Sequence, residues 1–169
     1  MKDVSALKPP PFARIGDPIS QVSTPALVLD LDAFDANTQR MAELARRHGV
    51  ALRPHAKAHK STAIALRQLE LGAVGVCCQK MSEAYPFVAK GVLSIHISNE
   101  FVGADKVAMA VELANYVRLS VCVDHPAQVD ALGQAATRAG VVITVLPEVD
   151  IGQGLSLIHI SEPTRLRRI

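Results

Sequence analysis

The sequence predicts an α/β protein built around a parallel β-sheet, and three observations support this fold class. Short apolar segments alternate with helical segments, and successive strand segments start roughly 20 to 27 residues apart, which leaves room for one crossover helix each. The strand segments resemble continuous apolar runs, which are typical of sheets covered on both faces. The chain has no Trp, four Phe and two Tyr, so its core must be aliphatic.

The number of strands leaves two architectures open. After a first strand and helix, the pattern predicts five further strands with four helices between them. A closed (β/α)8 barrel needs eight strands and about 200–250 residues. The chain therefore fits either an open doubly wound sheet or the N-terminal five strands of a truncated TIM-type barrel. The first strand is predicted at 26–29, and the others at 50–55, 73–78, 93–97, 117–123 and 141–149.

Capping residues define the ends of the first and last predicted helices. Asp30 or Asp32 is expected to cap the first helix, which ends before Gly49. Asp124 is expected to cap the last helix, which ends at Gly140. Each helix carries an apolar stripe and is therefore expected to bury one face. The stripes are Phe34, Met41, Leu44, Ala45 and His48 on the first helix, and Val129, Leu132, Ala136 and Ala139 on the last.

The composition excludes several classes of protein. With 49% hydrophobic and 20% charged residues, the chain is globular rather than disordered. No apolar run approaches the roughly 18 residues of a membrane span, and the N-terminus lacks a signal-peptide stretch. The cysteines Cys77, Cys78 and Cys122 lack metal-type spacing, so we expect a reduced, cytoplasmic protein. Basic and acidic residues balance over 1–154, which argues against a nucleic-acid or anionic-membrane partner.

The C-terminal tail departs from the rest of the chain, because the alternation of strands and helices stops after Gly154. The string LSLIHISEPTR within 155–169 resembles the translation of a sequencing-library adapter. We therefore interpret 155–169 as a non-native tail, with an ordinary basic tail as the alternative. The predicted organisation is an N-terminal arm at 1–23, a partial, truncated barrel at 24–154 and this tail.

The densest polar cluster, RPHAKAHK at 53–60, comes directly after the second predicted strand. It lies at the carboxyl end of that strand, where parallel α/β folds build their sites. If the strand stays extended, alternation directs His55, Lys57 and His59 to one face, together with Arg53. A lysine held among cations and partly desolvated gives up its proton more easily, which is the condition for attack on a carbonyl. Lys57 is therefore a candidate nucleophile, and a solvated basic loop is the alternative.

Five strings, in order along the chain, resemble one enzyme family. They are TPALVLD at 24–30, RPHAKAHK at 53–60, GVCCQK at 75–80, IHISNE at 95–100 and EVDIGQG at 148–154. Together they resemble the D-threonine aldolase and D-serine dehydratase family, which is similar to alanine racemase in fold. The resemblance implies a (β/α)8 barrel that binds pyridoxal 5'-phosphate, with a β-domain after it.

The resemblance also implies roles for individual residues. Lys57 stands at the position of the lysine that forms the Schiff base with pyridoxal 5'-phosphate. His59 is predicted as a second catalytic residue and His55 as a cofactor-binding residue, since either can tune this lysine or contact the cofactor. A solvated rim is the alternative for both. The other candidate cofactor-binding residues come after later predicted strands, and they are Gln79, Asn99 and Gln153. The alternative is that such side chains only cap loops. The residues expected to lie in the strand core are Cys77, Cys78 and His96.

The implied reaction is a retro-aldol cleavage. D-threonine or a related D-3-hydroxy amino acid displaces Lys57 from the cofactor, whose ring takes up electrons while the Cα–Cβ bond breaks to give glycine and an aldehyde. A D-serine or D-3-hydroxyaspartate dehydratase of the same family, which loses the Cα proton and the hydroxyl instead, is an alternative. The family also uses a divalent metal, Mn²⁺, Mg²⁺ or Zn²⁺, to polarise the substrate hydroxyl.

The chain departs from the family beyond the predicted barrel strands. The family's metal ligands are a His/Asp pair in the C-terminal domain, and its phosphate-binding loops come after later strands, so we expect no metal ligand here. The family has an Arg where this chain has Leu155. Five barrel strands with two unpaired edges are an aggregation hazard, so we expect the chain alone neither to fold stably nor to turn over substrate.

Two further functions stay open. One is a non-catalytic protein that binds pyridoxal 5'-phosphate, and the other is a complete open α/β ligand-binding domain. The predicted strand within 24–30 argues against the first, because in racemase-like folds this strand pairs with the β-domain. For the enzyme we expect a small D-amino acid substrate, no nucleic-acid or membrane partner, and a homodimer.

Overall fold

The structure, a computed structural model, describes residues 11–152. The chain divides into two compact units, 1–37 and 38–169, and each has its own internal contacts. Gln153 and the tail predicted at 155–169 lie outside the described residues, and the predicted domain boundaries stay predictions. Within the described part, no helix has both the length and the apolar character needed to cross a membrane.

The first unit holds a short helical turn, an extended segment and the start of a long helix. The 3-10 turn spans Ile19–Gln21, and helix α1 spans Leu31–Arg47 and so continues into the second unit. Asp30 caps α1, because its Oδ1 accepts a hydrogen bond from the N–H of Ala33 at 2.9 Å. Of the two caps predicted from the sequence, Asp30 is therefore the one that the structure uses.

The segment at 26–29, predicted as the first strand, forms no strand among the described residues. Its apolar side chains are exposed, and that of Leu27 is fully so. The prediction was wrong because an apolar run shows only that a segment suits a sheet, whereas a strand also needs a neighbouring backbone to pair with.

The second unit is built on a four-stranded parallel sheet. Its strands are β1 (Val76–Cys78), β2 (Ser94–Ile97), β3 (Arg118–Val123) and β4 (Ile143–Pro147), and its helices beyond α1 are α2 (Thr62–Glu70), α3 (Met81–Ala89), α4 (Ala104–Ala114) and α5 (Pro126–Ala139). The strand order is β1-β2-β3-β4, and one helix joins each strand to the next. In register, Val76, Ile95, Leu119 and Ile143 lie side by side. This arrangement confirms the predicted α/β class with crossover helices.

The strand predicted at 50–55 is reduced to a single bridge between His55 and Cys77. Around this bridge, the N–H of Cys77 donates to the Pro54 carbonyl and the N–H of Ala56 donates to the Cys77 carbonyl, both at 2.8 Å. The next rung of the parallel ladder would need an N–H on Pro54, and proline has none. The segment therefore lies along β1 at the edge of the sheet without forming a regular strand.

The helices cover one face of the sheet, and an aliphatic core is buried there, as the composition predicted. On α5, Leu132 is buried as predicted, whereas Val129 is partly exposed. The stripe predicted on α1 is not buried, and Met41 and Leu44 are exposed. Helical spacing shows which face a helix can bury, but a neighbouring element must cover that face. The largest fully buried side chains are Ile95, Ile97, Leu113, Leu132, Val76, Val92, Val121 and Cys78.

The opposite face of the sheet is polar, which corrects the description of the strands as continuous apolar runs. Ser94 and His96 alternate with the buried Ile95 and Ile97 along β2, and Ser120 of β3 lies beside His96. The distance between His96 Nδ1 and Ser120 Oγ is 2.9 Å, so the ring has a hydrogen-bond partner. His96 is half-buried on this polar face and not in the strand core where it was predicted. We call Arg53, Ser94, His96 and Ser120 the polar face of the sheet.

Arg53 reaches across this polar face to β2. Its guanidinium donates to the carbonyl of Ser94 at 3.3 Å and to the Oγ of Ser94 at 3.0 Å. Gly75 makes this contact possible, because a Cβ at that position would overlap both the guanidinium and the Ser94 carbonyl. A residue without a side chain is therefore needed at Gly75 for close approach.

Two further helices are capped by side chains. Ser61 caps α2, because its Oγ accepts a hydrogen bond from the N–H of Ile64 at 3.4 Å. The cap of α5 is His125, whose Nδ1 accepts a hydrogen bond from the N–H of Ala127 at 3.1 Å, and not Asp124 as predicted. Pro126 explains the difference, because proline favours the first helical position and so makes the residue before it the cap.

Candidate active site at the carboxyl edge of the sheet

Polar side chains collect at the carboxyl edge of the sheet, where the segments after the strands meet. These segments are the turn at 56–59, Gln79 after β1, residues 98–100 after β2 and Glu148 after β4. Parallel α/β sheets build their sites at this edge, because loops from several strands converge there. The candidates predicted near Lys57 therefore share one edge with those predicted after β1 and β2.

Lys57 lies on a turn rather than on a continued strand. Residues 56–59 form a turn closed by a hydrogen bond from the N–H of Lys60 to the carbonyl of Ala56 at 2.8 Å. The strand alternation that was predicted to continue through Lys57 therefore ends at His55, because such a turn is incompatible with an extended chain. The side chain of Lys57 is exposed, so the partial desolvation expected for it is absent from the structure.

His59, predicted as a second catalytic residue, is half-buried on the same turn. Its Nδ1 accepts a hydrogen bond from the N–H of Ser61 at 3.0 Å. The neutral ring then carries its proton on Nε2, which is buried and has no partner among residues 11–152. Burial lowers the pKa of His59, which favours this neutral form.

Four side chains from three segments meet beside the Lys57 turn. His55 Nε2 lies 2.9 Å from Ser98 Oγ, and Gln79 Nε2 donates to Asn99 Oδ1 at 3.2 Å. The structure thus brings together three of the residues predicted from the sequence, and it adds Ser98. The signal for Ser98 was its place directly after β2, one residue before Asn99. Burial lowers the pKa of His55, and the nearby Lys57 charge lowers it further.

Glu83 anchors the far end of the Lys57 turn. Its Oε1 lies 3.2 Å from the Nζ of Lys60, and its Oε2 accepts the N–H groups of Gln79 at 3.0 Å and Lys80 at 3.3 Å. Burial raises the pKa of Glu83, but these hydrogen bonds outweigh it and leave the pKa lowered. One carboxylate therefore ties the turn to the start of α3.

A pair of carboxyl groups occupies the other end of this edge. Glu100 lies after β2 and Glu148 after β4, and a hydrogen bond joins their side chains. Burial and this hydrogen bond raise the pKa of Glu100 to about 7. Neither residue was among the candidates predicted from the sequence, although both lie at or just past the ends of predicted strands. A carboxyl group with such a pKa can hold or release a proton near neutral pH.

The site as a whole offers an exposed primary amine, half-buried neutral imidazoles and a carboxyl group that can hold a proton. An amine at such an edge can add to a carbonyl compound, and neighbouring groups can then move protons. Within 11–152, no group of three His, Cys, Asp or Glu residues is placed to hold a metal ion.

Known proteins resemble this chain closely. A family model described as "Alanine racemase, N-terminal domain" matches residues 29–157. The D-threonine aldolase of an Arthrobacter species is 58% identical over 145 residues, which is 86% of this chain and 38% of that protein. The crystal structure of D-threonine aldolase from Filomicrobium marinum matches with a TM-score of 0.82 at 50% identity, covering 86% of this chain and 40% of that one.

A dehydratase is a more distant relative. The structure of D-threo-3-hydroxyaspartate dehydratase from Delftia sp. HT23 matches with a TM-score of 0.72 at 30% identity, covering 82% of this chain and 36% of that one. The chain therefore spans about two fifths of the length of the relatives that it matches.

Proposed function

We propose that this chain forms the first part of the catalytic barrel of an aldolase. The premise is that the chain belongs to the alanine racemase N-terminal domain family. This aldolase would cleave D-threonine and related D-3-hydroxy amino acids to glycine and an aldehyde. The observation that carries the proposal is the position of Lys57, an exposed amine at the carboxyl edge of the sheet. The chain that contains this lysine is 58% identical over 145 residues to a D-threonine aldolase.

The residues at this edge fit covalent attachment of pyridoxal 5'-phosphate to Lys57. Among residues 11–152, no carboxylate forms an ion pair with Lys57, so its amine is accessible. The buried Nε2 of His59 on the same turn has no partner within the described part of the chain, and such a group costs about 1–3 kcal/mol unless something else satisfies it. When bound, pyridoxal 5'-phosphate supplies an electron sink for the carbon that loses its bond.

The chain's own residues would attach the cofactor, orient it and transfer protons. Lys57 would bind the cofactor and exchange a proton at Nζ. His59, on the same turn, is proposed as a second catalytic residue that takes part in proton transfer. The residues proposed to line the cofactor pocket are His55, Gln79, Asn99 and Gln153, of which the last lies outside the described residues.

The remaining properties are proposals about a protein of the relatives' full length. We propose that such a protein uses a divalent metal, Mn²⁺, Mg²⁺ or Zn²⁺, through ligands that come after the barrel. The described residues hold no metal-binding group, so no step is derived through a metal. We also propose a small D-amino acid substrate, a cytoplasmic location, a homodimer and no nucleic-acid partner.

The direct test uses a hybrid enzyme. In this hybrid, the 145 residues of this chain that match the Arthrobacter D-threonine aldolase replace their counterparts in that enzyme. The hybrid is incubated with pyridoxal 5'-phosphate, reduced with borohydride, digested and analysed by mass spectrometry. We expect the pyridoxyl group on Lys57, and we expect none in Lys57→Arg, which keeps the charge. Lys106→Arg, an exposed lysine on α4, is the matched control.

The reaction is then assigned from its products. With D-threonine and a divalent metal, the hybrid should release glycine and acetaldehyde in equal amounts. Release of 2-oxobutanoate and ammonia would assign the dehydratase reaction instead, the second candidate, which the 30% identical dehydratase structure favours. Labelling at another lysine, or full activity of Lys57→Arg, would refute the proposal.

A further inference from the structure

The polar groups beside Lys57 form one continuous row of hydrogen bonds. The N–H of Lys57 donates to Nδ1 of His55 at 3.2 Å, and Nε2 of His55 lies 2.9 Å from Oγ of Ser98. Ser98 Oγ lies 3.5 Å from Oε1 of Gln79, and Gln79 Nε2 lies 3.2 Å from Oδ1 of Asn99. The row therefore crosses from the Lys57 turn to the segment after β2.

The first bond of the row fixes the tautomer of His55. A backbone N–H can only donate, so the Nδ1 that faces Lys57 must be unprotonated. A neutral imidazole then carries its proton on Nε2, and this proton points to Oγ of Ser98. A doubly protonated ring would place a second N–H against that of Lys57, so the row excludes the charged form. The lowered pKa of His55 agrees with this geometry.

The last bond of the row fixes the amide orientations. Asn99 Nδ2 donates to the backbone carbonyl of Glu100 at 3.0 Å, and a carbonyl can only accept. Asn99 must therefore present Oδ1 to Gln79, and Gln79 must present Oε1 to Ser98. The orientations of the His55 ring and of both amides are therefore determined, whereas the Ser98 hydroxyl has a second acceptor, the carbonyl of Cys78, at 3.4 Å.

The row explains how an exposed lysine acquires a defined position. The Lys57 side chain forms no ion pair among the described residues, so its placement depends on its backbone. That backbone is held on one side by His55 and on the other by Lys60, whose ammonium contacts Glu83. Loss of either contact would allow the turn to move, and a displacement of about 1 Å can cost up to 10²-fold in rate.

We infer that His55 is a positioning residue, present as the neutral Nε2–H tautomer, that fixes the backbone of Lys57 for attachment of the cofactor. This inference deepens the proposed function and rests on it. It also assigns to His55, Gln79 and Asn99 a role that does not require their contact with the cofactor. Ser98, which accepts the Nε2 proton of His55, becomes the fourth member of the set.

Two substitutions of His55 separate its two hydrogen bonds. His55→Asn keeps an acceptor near the position of Nδ1, and His55→Gln keeps a donor near the position of Nε2. The rate of borohydride-trapped attachment at Lys57 is measured in the hybrid enzyme across pH. We expect about a tenfold loss for His55→Gln and a smaller loss for His55→Asn, because only the latter still binds the Lys57 N–H. Equal rates for both variants would overturn the inference.

The tautomer of His55 can be tested without any cofactor. In the hybrid labelled with ¹⁵N-histidine, we expect the nitrogen spectrum of His55 to show protonated Nε2 and unprotonated Nδ1. Ser98→Ala removes only the partner of Nε2, so Nδ1 should stay unprotonated while attachment slows, and Ser98→Thr, which keeps the hydroxyl, should restore the rate. A protonated Nδ1 in the unsubstituted hybrid would refute the inference. If the hybrid takes up no cofactor, the proposed function fails, but the nitrogen spectra still decide the tautomer.

Discussion

The two faces of the same sheet differ in how they are held together. On the helix-covered face, Ile95 and Val121 are fully buried among aliphatic side chains, and shape and area decide their contribution. On the polar face, Arg53, His96 and Ser120 hold their places through directed hydrogen bonds. Alternate side chains of a single strand therefore lie on two different faces, one stabilised by close packing and one by hydrogen bonds.

The difference shows why the carboxyl edge carries the chemistry. Polar contacts continue past the strand ends into His55 and Ser98. A group held by directed hydrogen bonds keeps a defined orientation even when it is partly exposed. Four measurements in the hybrid enzyme probe this contrast, from the largest expected effect to the smallest.

The largest effect is expected on the apolar face. Ile95→Ala should lower the free energy of unfolding by about 2–5 kcal/mol, because it removes a fully buried side chain and leaves a cavity. Leu93→Ala, two residues earlier and exposed, is the matched control and should change it by less than about 0.5 kcal/mol. Denaturant unfolding measures both, and equal losses would show that the burial of Ile95 is not what stabilises the sheet.

The second effect tests the close approach on the polar face. Gly75→Ala should cost about 1–3 kcal/mol, because the new Cβ overlaps the Arg53 guanidinium and the Ser94 carbonyl. Gly133→Ala on α5 has open space around it and should instead stabilise by about 0.5–1 kcal/mol. The midpoints of thermal unfolding compare the two variants. If Gly75→Ala left the midpoint of thermal unfolding unchanged, the close approach of Arg53 at Gly75 would not contribute to stability.

The third effect is the loss of one hydrogen bond. Ser120→Ala should lower the free energy of unfolding by about 1 kcal/mol, because His96 Nδ1 loses its partner at 2.9 Å. Ser120→Thr keeps the hydroxyl and serves as the control. Denaturant unfolding of both variants gives the comparison, and identical values would assign the stability of this face to groups other than this bond.

The smallest effect is expected in the pH dependence of stability. Burial lowers the pKa of His96 below its ordinary value of 6.5, and the Arg53 charge lowers it further. The unfolded chain therefore protonates His96 at a higher pH than the folded chain does. The free energy of unfolding should fall as the pH drops through 6.5 toward the pKa of His96 in the folded chain. His96→Gln should flatten this slope, with the exposed His48→Gln as a control for loss of one imidazole. An unchanged slope would exclude His96 as its source.

Element types could be predicted from the sequence because they depend on short-range patterns. Apolar runs separated by glycine-terminated helices predicted all four strands of the sheet and the five helices. Two strands failed for different reasons. Pro54 prevents a ladder that the apolar pattern at 50–55 favoured, and 26–29 has no pairing partner among the described residues.

The candidate site was predictable only in part. Lys57, Gln79 and Asn99 were identified by their positions after strands and by the family resemblance, and the structure places all three at one edge. Strand periodicity could not reveal the turn at 56–59, because that turn depends on a hydrogen bond closed by Lys60. The partners of these residues also come from distant segments, and a single-chain pattern does not contain such pairings.

The sequence by itself determined the parallel α/β scaffold, the aliphatic core and the lysine at a strand end, because these depend on periodicity and residue type along the chain. The tertiary structure alone decided the polar face, the role of Gly75 and the row that joins His55, Ser98 and Gln79. The physical reason is that hydrogen-bond direction and close approach depend on groups that are far apart in sequence and become neighbours only when the strands align.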